Sequence, residues 1–182
     1  MGAEVSGLRR AAGVIPRLPD LPDAQGLNSQ SMTELAPLRP ALTVATVVER
    51  EGLFLCVEEI TRDGVRLNQP AGHLESSETL PQAAARETLE ETGWRIVPTA
   101  LVGIYRWESS DAATFVRFAF AGDVRAHDAA RPLDAGIVRA LWLSYEEITA
   151  RRAEHRSPLV LRCLDDYRAG RRWPLNFVTE IA

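Results

Sequence analysis

Residues 68–94 read NQPAGHLESSETLPQAAARETLEETGW and carry the most specific pattern in the chain. It starts as a turn that contains Gly72 and continues as a helix predicted from Leu80 to Thr92. Thr79 is a typical N-cap residue, because its hydroxyl can accept a hydrogen bond from the backbone of the third helical residue. Gly93 suits the left-handed conformation in which many helices end.

The predicted helix carries three carboxylates close together, on Glu87, Glu90 and Glu91. At about 100° per residue they fall within roughly 100° of the helix surface, where like charges cost on the order of a few tenths of a kcal/mol per pair. One interpretation is a solvated acidic face. The other is a site for divalent cations, which prefer carboxylate oxygens and would neutralise charge that Arg86 alone cannot balance. Mg²⁺ commonly shares substrate phosphate oxygens, so the second interpretation points to phosphate chemistry.

The polar residues of this stretch follow a fixed spacing, which is Gly72, five residues, Glu78, seven residues, Arg86-Glu87, two residues, Glu90-Glu91, one residue, Gly93. The pattern resembles the Nudix box, the signature of the Nudix hydrolases, at every polar and glycine position, and it is far more specific than a lone short motif. Thr88 and Trp94 occupy positions that are apolar in the signature, the first of them usually aliphatic. Both are interpreted as packing variations, because neither replaces a metal ligand. The resemblance extends from about Ala41 to Leu175.

The resemblance implies an α/β fold of Nudix type. This is an α/β/α sandwich with a mixed β-sheet that has the carboxylate helix on one side and the C-terminal helices on the other. It also implies Mg²⁺, with Mn²⁺ as a substitute, held by Glu87, Glu90 and Glu91. The candidate catalytic residues are Glu87, Glu91 and Arg86. By the same resemblance Glu87 acts as the base or orients it, and Arg86 braces the loop against the helix through an ion pair with Glu78.

The flanks of the box resemble one subgroup of the family, the NudJ-type phosphatases. The matching residues are NQPAGHLE before the helix, RSPLV near the end, and then Tyr167, Gly170, Arg172, Trp173, Pro174 and Leu175. That subgroup implies removal of the terminal phosphate from nucleoside tri- and diphosphates and from the diphosphate of the thiamine pyrimidine precursor. Two alternatives stay open. One is a hydrolase that releases pyrophosphate from nucleotides or RNA 5′ ends, and the other is a non-catalytic module that senses a nucleotide.

Four residues are candidates for substrate binding: Gly72, His73, Arg106 and Arg117. The glycine lets the backbone approach a ligand, and the histidine could contact a diphosphate, although such a residue more often has a structural role. The two arginines lie on predicted strands and could grip phosphate, while Trp107 or Phe115 beside them could stack on a base. Ordinary cross-strand packing explains the same pattern equally well.

A further carboxylate from outside the box is common in Nudix enzymes, often in a loop before a strand. In this chain Asp134 is the nearest candidate, and Gly136 stands where related chains often have an acid. The resemblance therefore leaves the identity of the general base open.

Alternating and β-branched segments predict strands on both sides of the helix. The first two, ALTVATVVE and EGLFLCVEEI, are joined by a hairpin turn at Glu51 and Gly52, and ALVGIYRWES and TFVRFAFAGDV follow the helix. The segment VRALWLS predicts a strand that leads into a short helix capped by Ser144. A final amphipathic helix is predicted from Pro158 to Gly170.

The composition limits the classes of function. With 182 residues, of which 46% are hydrophobic, the chain can bury one substantial core. All 21 basic residues are arginine, the net charge is −4 and no basic face is evident, so duplex nucleic acid is not expected as a partner. No apolar run reaches the roughly 18 residues of a membrane span. Cys56 and Cys163 are predicted to be buried and reduced, as in a cytoplasmic protein, and a monomer or a homodimer is expected.

Residues 1–40 contrast with the rest of the sequence, because they contain five prolines and no sustained hydrophobic period. Residues 1–38 are predicted to form a disordered extension, with Met32 as a candidate start of translation. Residues 39–182 are predicted to form the Nudix domain.

Overall fold

Seven strands of the described chain form one mixed sheet, with helices packed on both of its faces. The computed structural model describes residues 38–181, so the predictions for residues 1–37, including a start at Met32, lie outside it. In chain order the elements are β1 Ala41–Arg50, β2 Leu53–Thr61, β3 Gly64–Asn68, β4 Ala71–His73, α1 Leu80–Thr92, β5 Trp94–Glu108, β6 Thr114–His127, β7 Ile137–Ser144, α2 Tyr145–Ala150 and α3 Leu159–Arg168. Within this described range, no helix is long and apolar enough to cross a membrane.

The sheet combines parallel and antiparallel pairs, which confirms the mixed sheet expected from the resemblance. Its strand order is β3-β2-β1-β6-β5, while β4 pairs with β1 and β7 pairs with β2. The strands β1 and β6 run parallel from Ala41↔Phe115 to Val48↔Gly122, and β5 and β6 are antiparallel. The predicted turn between β1 and β2 is present, with φ of 55° at Glu51 and 79° at Gly52, as a two-residue hairpin turn of type I′ requires.

Strand β1 shows how the two faces of the sheet are covered. Its side chains alternate between faces, so that Val44 packs in the cluster that contains Leu80 and Ala83 of α1, whereas Val47 packs in the cluster that contains Leu164 of α3. The carboxylate helix and the C-terminal helix therefore lie on opposite faces, and the predicted sandwich is confirmed. Both cysteines are buried and free within the core, as predicted.

Helix α1 begins and ends where the sequence predicts. Thr79 and Gln82 form a reciprocal capping box, and Gly93 ends the helix with φ of 71° and a backbone bond to Leu89. Thr88, which stands at an apolar position of the Nudix signature, faces the sheet and shares a buried 2.8 Å hydrogen bond with Thr46 of β1. This partner satisfies the hydroxyl that the substitution introduces into the core.

Strand β5 is longer than the sequence predicts. The predicted segment begins at Ala100, but the strand starts at Trp94. The intervening Pro98 lacks a backbone N–H and argues against a strand when the sequence is considered alone. It is accommodated because β5 lies at the end of the strand order and because its pairing with β6 shifts register between Pro98 and Ala100.

A buried carboxylate links β2, β7 and α2 at a point away from the Nudix motif. Glu58 is 6% exposed and accepts hydrogen bonds from Arg139 at 2.7 Å and 3.2 Å and from Arg151 at 2.6 Å. The hydrogen bond from Arg139, aided by Arg151, holds the pKa of Glu58 below its ordinary value, although burial opposes this shift. The ion pair between Glu58 and Arg139 lies beside a register shift between Glu58 and Glu59, where the pairing of β2 with β7 is irregular.

We expect Glu58→Gln to lower the free energy of unfolding by about 1–3 kcal/mol at pH 7, because hydrogen bonds to a charged group are lost in a buried place. A carboxylate with a lowered folded-state pKa stabilises the protein above its ordinary pKa and loses that contribution as pH falls through the folded-state pKa. The difference between the variant and the wild type should therefore shrink in acid. Denaturant unfolding at several pH values measures it.

The control for this prediction is Glu108→Gln, which removes an exposed ion pair to Arg106 and should change stability by less than about 0.5 kcal/mol. An equal loss in the two variants, or a Glu58→Gln effect that grows in acid, contradicts the assignment.

Candidate active site

Arg86 organises the loop and the first part of the carboxylate cluster. Its Nε and Nη2 donate to the two carboxylate oxygens of Glu78 at 2.9 Å and 2.7 Å, which is the ion pair expected from the resemblance. Its Nη1 donates to Glu87 at 2.9 Å and to Glu90 at 3.0 Å, and its Nη2 also reaches the carbonyl oxygen of His73 at 3.0 Å. The hydrogen bond to Glu78, followed by those to Glu90 and Glu87, raises the pKa of Arg86. One guanidinium therefore ties β4, the loop and α1 together.

Glu91 has a different environment from the other two acids of the cluster. It is 9% exposed and its Oε2 accepts a 2.9 Å hydrogen bond from the backbone N–H of Ala71. Within residues 38–181 no arginine or histidine forms an ion pair with it. Desolvation raises the pKa of Glu91 to about 8. Desolvation also raises the pKa of Glu87, although the hydrogen bond from Arg86 opposes that shift.

The backbone of β4 lies directly against these carboxylates. A Cβ atom added to Gly72 would lie 2.1 Å from the Cδ and Oε1 atoms of Glu87, which is far inside any normal contact. Only glycine leaves space for the Glu87 carboxylate here. Hard oxygen donors therefore lie against the backbone of β4, and two of them, Glu87 and Glu91, are buried carboxylates whose charge lacks full compensation. This chemistry fits a divalent cation such as Mg²⁺.

Hydrogen bonds from Arg86 hold two of the three acids, Glu87 and Glu90, whereas Glu91 is held by the backbone of β4. Between residues 38 and 181, no three His, Cys, Asp or Glu side chains converge closely enough to hold an ion. The Arg86 guanidinium lies between Glu87 and Glu90 and neutralises part of their charge. The assignment of Glu87, Glu90 and Glu91 as metal ligands therefore stays a prediction that the donor types support.

Asp134 lies near the cluster, on the loop between β6 and β7. Its backbone N–H donates to the carbonyl oxygen of Glu90 at 3.0 Å, and its charge is among the smaller causes that raise the pKa of Glu87 and Glu91. Gly136, the other position considered for an acid, has φ of 94°. That conformation favours glycine, which accounts for the missing side chain.

A cavity of about 610 Å³ opens on the other side of β4, with Gly72 and His73 on its border. Trp107 and Phe115 line it as a stacked pair whose ring centroids are 5.3 Å apart. Arg117 also lines the cavity and is 8% exposed, and desolvation lowers its pKa. Three of the four predicted substrate-binding residues, Gly72, His73 and Arg117, therefore border the same cavity.

Arg106 is placed differently from Arg117. Its β6 partner is Val116, whereas the partner of Arg117 is Tyr105, so the two arginines lie on opposite faces of the β5–β6 pair. Arg106 is exposed, contacts Glu108 at 3.2 Å and does not line the cavity. Its role in substrate binding stays a prediction without support from this geometry.

Two polar residues that line the cavity were missed by sequence reasoning. Thr43 lies on β1 and Asn68 ends β3, and both are buried. The available signal was weak, because a threonine in an apolar strand is common and Asn68 stands at a strand end where polar residues are frequent. Thr43 and Asn68 reach the same cavity only because strands that are distant in sequence pair in the sheet.

Known proteins resemble this chain in sequence and in fold. The NUDIX domain family model matches residues 37–163. The chain is 42% identical to the protein named Phosphatase NudJ from Shigella boydii over 142 residues, which cover 78% of this chain and 92% of the relative. The same figures hold for Phosphatase NudJ from Escherichia coli. A solved NUDIX hydrolase from Nitrosomonas europaea is 50% identical, with a TM-score of 0.77 over 79% of this chain and 98% of that protein.

Proposed function

The chain belongs to the Nudix hydrolase family, and we propose that it is a Mg²⁺-dependent phosphatase of small diphosphates. Its proposed substrates are nucleoside tri- and diphosphates and the diphosphate of the thiamine pyrimidine precursor, and its proposed product is orthophosphate. The name Phosphatase NudJ, carried by relatives that are 42% identical over most of their length, supports the reaction.

The observation that carries the proposal is the position of Gly72. On one side this residue contacts the carboxylate of Glu87, and on the other it borders the cavity that holds Trp107 and Phe115. A ligand whose ring lies against the aromatic pair therefore has its phosphate groups directed past β4 toward the carboxylates. A small molecule with a ring at one end and a diphosphate at the other matches this arrangement.

The carboxylates Glu87, Glu90 and Glu91 would hold the cation, and Mn²⁺ is an expected substitute for Mg²⁺. When bound, such a cation offsets charge on phosphate oxygens and makes a water molecule more acidic. Arg86 keeps Glu87 and Glu90 aligned through its 2.9 Å and 3.0 Å contacts, and Glu78 holds the arginine itself in place. The protein contributes orientation and electrostatic stabilisation without a covalent nucleophile.

In the proposed reaction a water oxygen bonds to the terminal phosphorus while the bond from that phosphorus to the bridging oxygen breaks. We propose Glu87 as the acceptor of the water proton, because its carboxylate lies against Gly72 at the edge of the cavity. Asp134 is the less favoured acceptor, since it is exposed on a loop beside the C-terminal end of α1.

The product identifies the reaction. With Mg²⁺ and a nucleoside triphosphate, we expect orthophosphate and the nucleoside diphosphate, followed by orthophosphate and the monophosphate, as measured by phosphorus NMR. Chelation with EDTA should stop the reaction, and readdition of Mg²⁺ or Mn²⁺ should restore it.

Three outcomes contradict this prediction. Pyrophosphate as the first product from a nucleoside triphosphate favours a pyrophosphohydrolase, and its release from RNA with a 5′-triphosphate would extend that to RNA ends. Tight nucleotide binding without any turnover favours a sensing module. Turnover that survives EDTA rejects the dependence on a metal.

A further inference from the structure

We propose that Arg117, Asn68 and Thr43 form a recognition floor in the cavity, which reads the hydrogen-bonding edge of a planar heteroaromatic ring on the substrate. The inference rests on the proposed function, because it names the class of group that the diphosphate must carry. These three residues form the floor.

Arg117 is the cation of the floor. It is 8% exposed, and its Nε and Nη1 atoms are buried without a hydrogen-bond partner. The other arginines that line the cavity have carboxylate partners, with Arg62 contacting Asp111 at 3.4 Å and Arg156 contacting Glu59 at 3.6 Å. Within residues 38–181, Arg117 forms no such ion pair. A buried donor without a partner is costly, and it is satisfied when a ligand supplies an acceptor.

Asn68 supplies an acceptor with a fixed orientation. Its Nδ2 donates to Glu59 at 3.0 Å, and because a carboxylate only accepts, the amide nitrogen must face Glu59. The amide oxygen therefore points elsewhere, and it is buried without a partner. It requires a donor from the ligand.

Thr43 completes the floor with a group that can donate or accept. It is the β1 residue paired with Arg117 of β6, and its hydroxyl is also buried without a partner. The unpaired polar atoms of the floor therefore come from three strands that line one cavity. Such a concentration is unusual, since buried polar groups are nearly always hydrogen-bonded.

The aromatic pair beside the floor defines the shape of the group that it binds. Phe115 precedes Arg117 by two residues on the same face of β6, and its ring stacks on Trp107 of β5 with an interplanar angle of 25°. A flat ring that stacks on this wall presents its edge to the floor. A ring edge that has an acceptor next to a donor can accept from Arg117 and donate to the amide oxygen of Asn68. Nucleobases and aminopyrimidines have such an edge.

Phosphate is a poor match for the same floor. The amide oxygen of Asn68 and the carboxylate of Glu59 are acceptors, and they would face phosphate oxygens that also only accept. The floor atoms have almost no exposed surface, so Arg117 and Thr43 turn toward the cavity when the ring enters, while the Asn68 amide keeps its hydrogen bond to Glu59. The ring therefore occupies the floor, and the diphosphate extends toward β4.

The test compares two threonines on β1 by their effects on selectivity. Selectivity is the ratio of kcat/KM for cytidine diphosphate to that for the ring-free methyl diphosphate. Thr43→Val should lower this ratio by about 5- to 10-fold through the loss of one hydrogen bond, without lowering the melting temperature. The control Thr46→Val loses the hydrogen bond to Thr88 on the other face of the sheet, so it should lower the melting temperature and keep the ratio.

A second pair of variants tests the arginine. Arg117→Met should lower the same ratio by about 10- to 100-fold, as expected for a hydrogen bond to a charged group. Its melting temperature should not fall, because the variant removes a buried charge whose Nε and Nη1 atoms have no hydrogen-bond partner. The control Arg125→Met, at an exposed site on the same strand that contacts Asp123 at 3.7 Å, should keep the ratio. The thiamine pyrimidine diphosphate in place of cytidine diphosphate distinguishes a free pyrimidine from a nucleoside.

Binding separates this inference from the proposed function. Calorimetry with cytidine monophosphate in EDTA requires no turnover, and weaker binding to Thr43→Val and Arg117→Met than to the wild type supports the floor even if no diphosphate is hydrolysed. Unchanged selectivity and unchanged binding in both variants overturn the inference, whatever the hydrolysis assay shows. In that case the unpaired atoms serve a buried water site.

Discussion

Replacing Glu91 by glutamine is expected to lower kcat by about 100-fold or more, while the free energy of unfolding stays equal or rises. The loss of activity follows from the proposed role of Glu91 as a metal ligand and from the 10²- to 10⁴-fold effects that are typical of groups acting in proton transfer and charge stabilisation. The gain in stability follows from the surroundings of Glu91. Its carboxylate is 9% exposed and its hydrogen-bond donor is the neutral backbone N–H of Ala71, so burial disfavours the charged form.

The stability part of this prediction depends on pH. Burial raises the pKa of Glu91 to about 8, above its ordinary value near 4.5. With EDTA present, the unfolded chain loses its proton first as pH rises, so the wild-type protein should lose stability between about pH 4.5 and 8. Glutamine cannot ionise, so Glu91→Gln should lack this part of the slope. Urea unfolding across that pH range measures it.

Glu90→Gln distinguishes the metal role from simple charge relief. It should also lower kcat strongly, but Glu90 contacts Arg86 at 3.0 Å, so its removal should not raise stability. The exposed control Asp123→Asn should leave kcat and stability unchanged within error. Retention of metal-dependent activity in both glutamine variants would reject the proposed site, whereas an equal stability gain in both would reject the different environments described for the two acids.

Helix α1 and its carboxylates could be predicted from sequence because their causes are local. Thr79, Gln82 and Gly93 specify the ends of the helix through contacts within four residues, and helix periodicity places the glutamates on one surface. The ion pair between Arg86 and Glu78, which the family resemblance implied, lies in the same short segment.

The cavity could not be predicted in the same way, because its residues meet through long-range pairing. Thr43 and Arg117 become neighbours through the parallel pairing of β1 and β6, which no local pattern specifies. The alternation of side chains along the strands made Arg106 and Arg117 candidates for substrate binding, with ordinary packing as an equal alternative, and it did not indicate which of the two faces a cavity. The pairing of Tyr105 with Arg117 decides this in favour of Arg117 over Arg106. Burial without a partner, which marks the floor, is likewise visible only in three dimensions.

Gly72→Ala is expected to lower kcat by about 100-fold while the protein remains folded. The added Cβ would lie 2.1 Å from the Glu87 carboxylate, so one of the two must move. The carboxylate is the end of a flexible side chain, and it should rotate away at little cost to the fold. A displacement of about 1 Å in a catalytic group can reduce the rate by this amount. Steady-state kinetics with Mg²⁺ and a thermal melt measure the two effects.

The control and the double variant make the mechanism of this loss testable. Gly122→Ala places a Cβ 2.7 Å from Ile96, a similar clash with a flexible side chain away from the site, so it should affect stability more than kcat. If Gly72→Ala acts by displacing Glu87, then adding Glu87→Gln should lower kcat little further, because the two changes remove the same interaction. If the kcat losses of the two single variants instead multiply in the double variant, Gly72 acts on a group other than Glu87. Full activity in Gly72→Ala would show that the close approach of β4 to Glu87 is not required for catalysis. It would also contradict the proposal that Gly72 connects the cavity to the carboxylates.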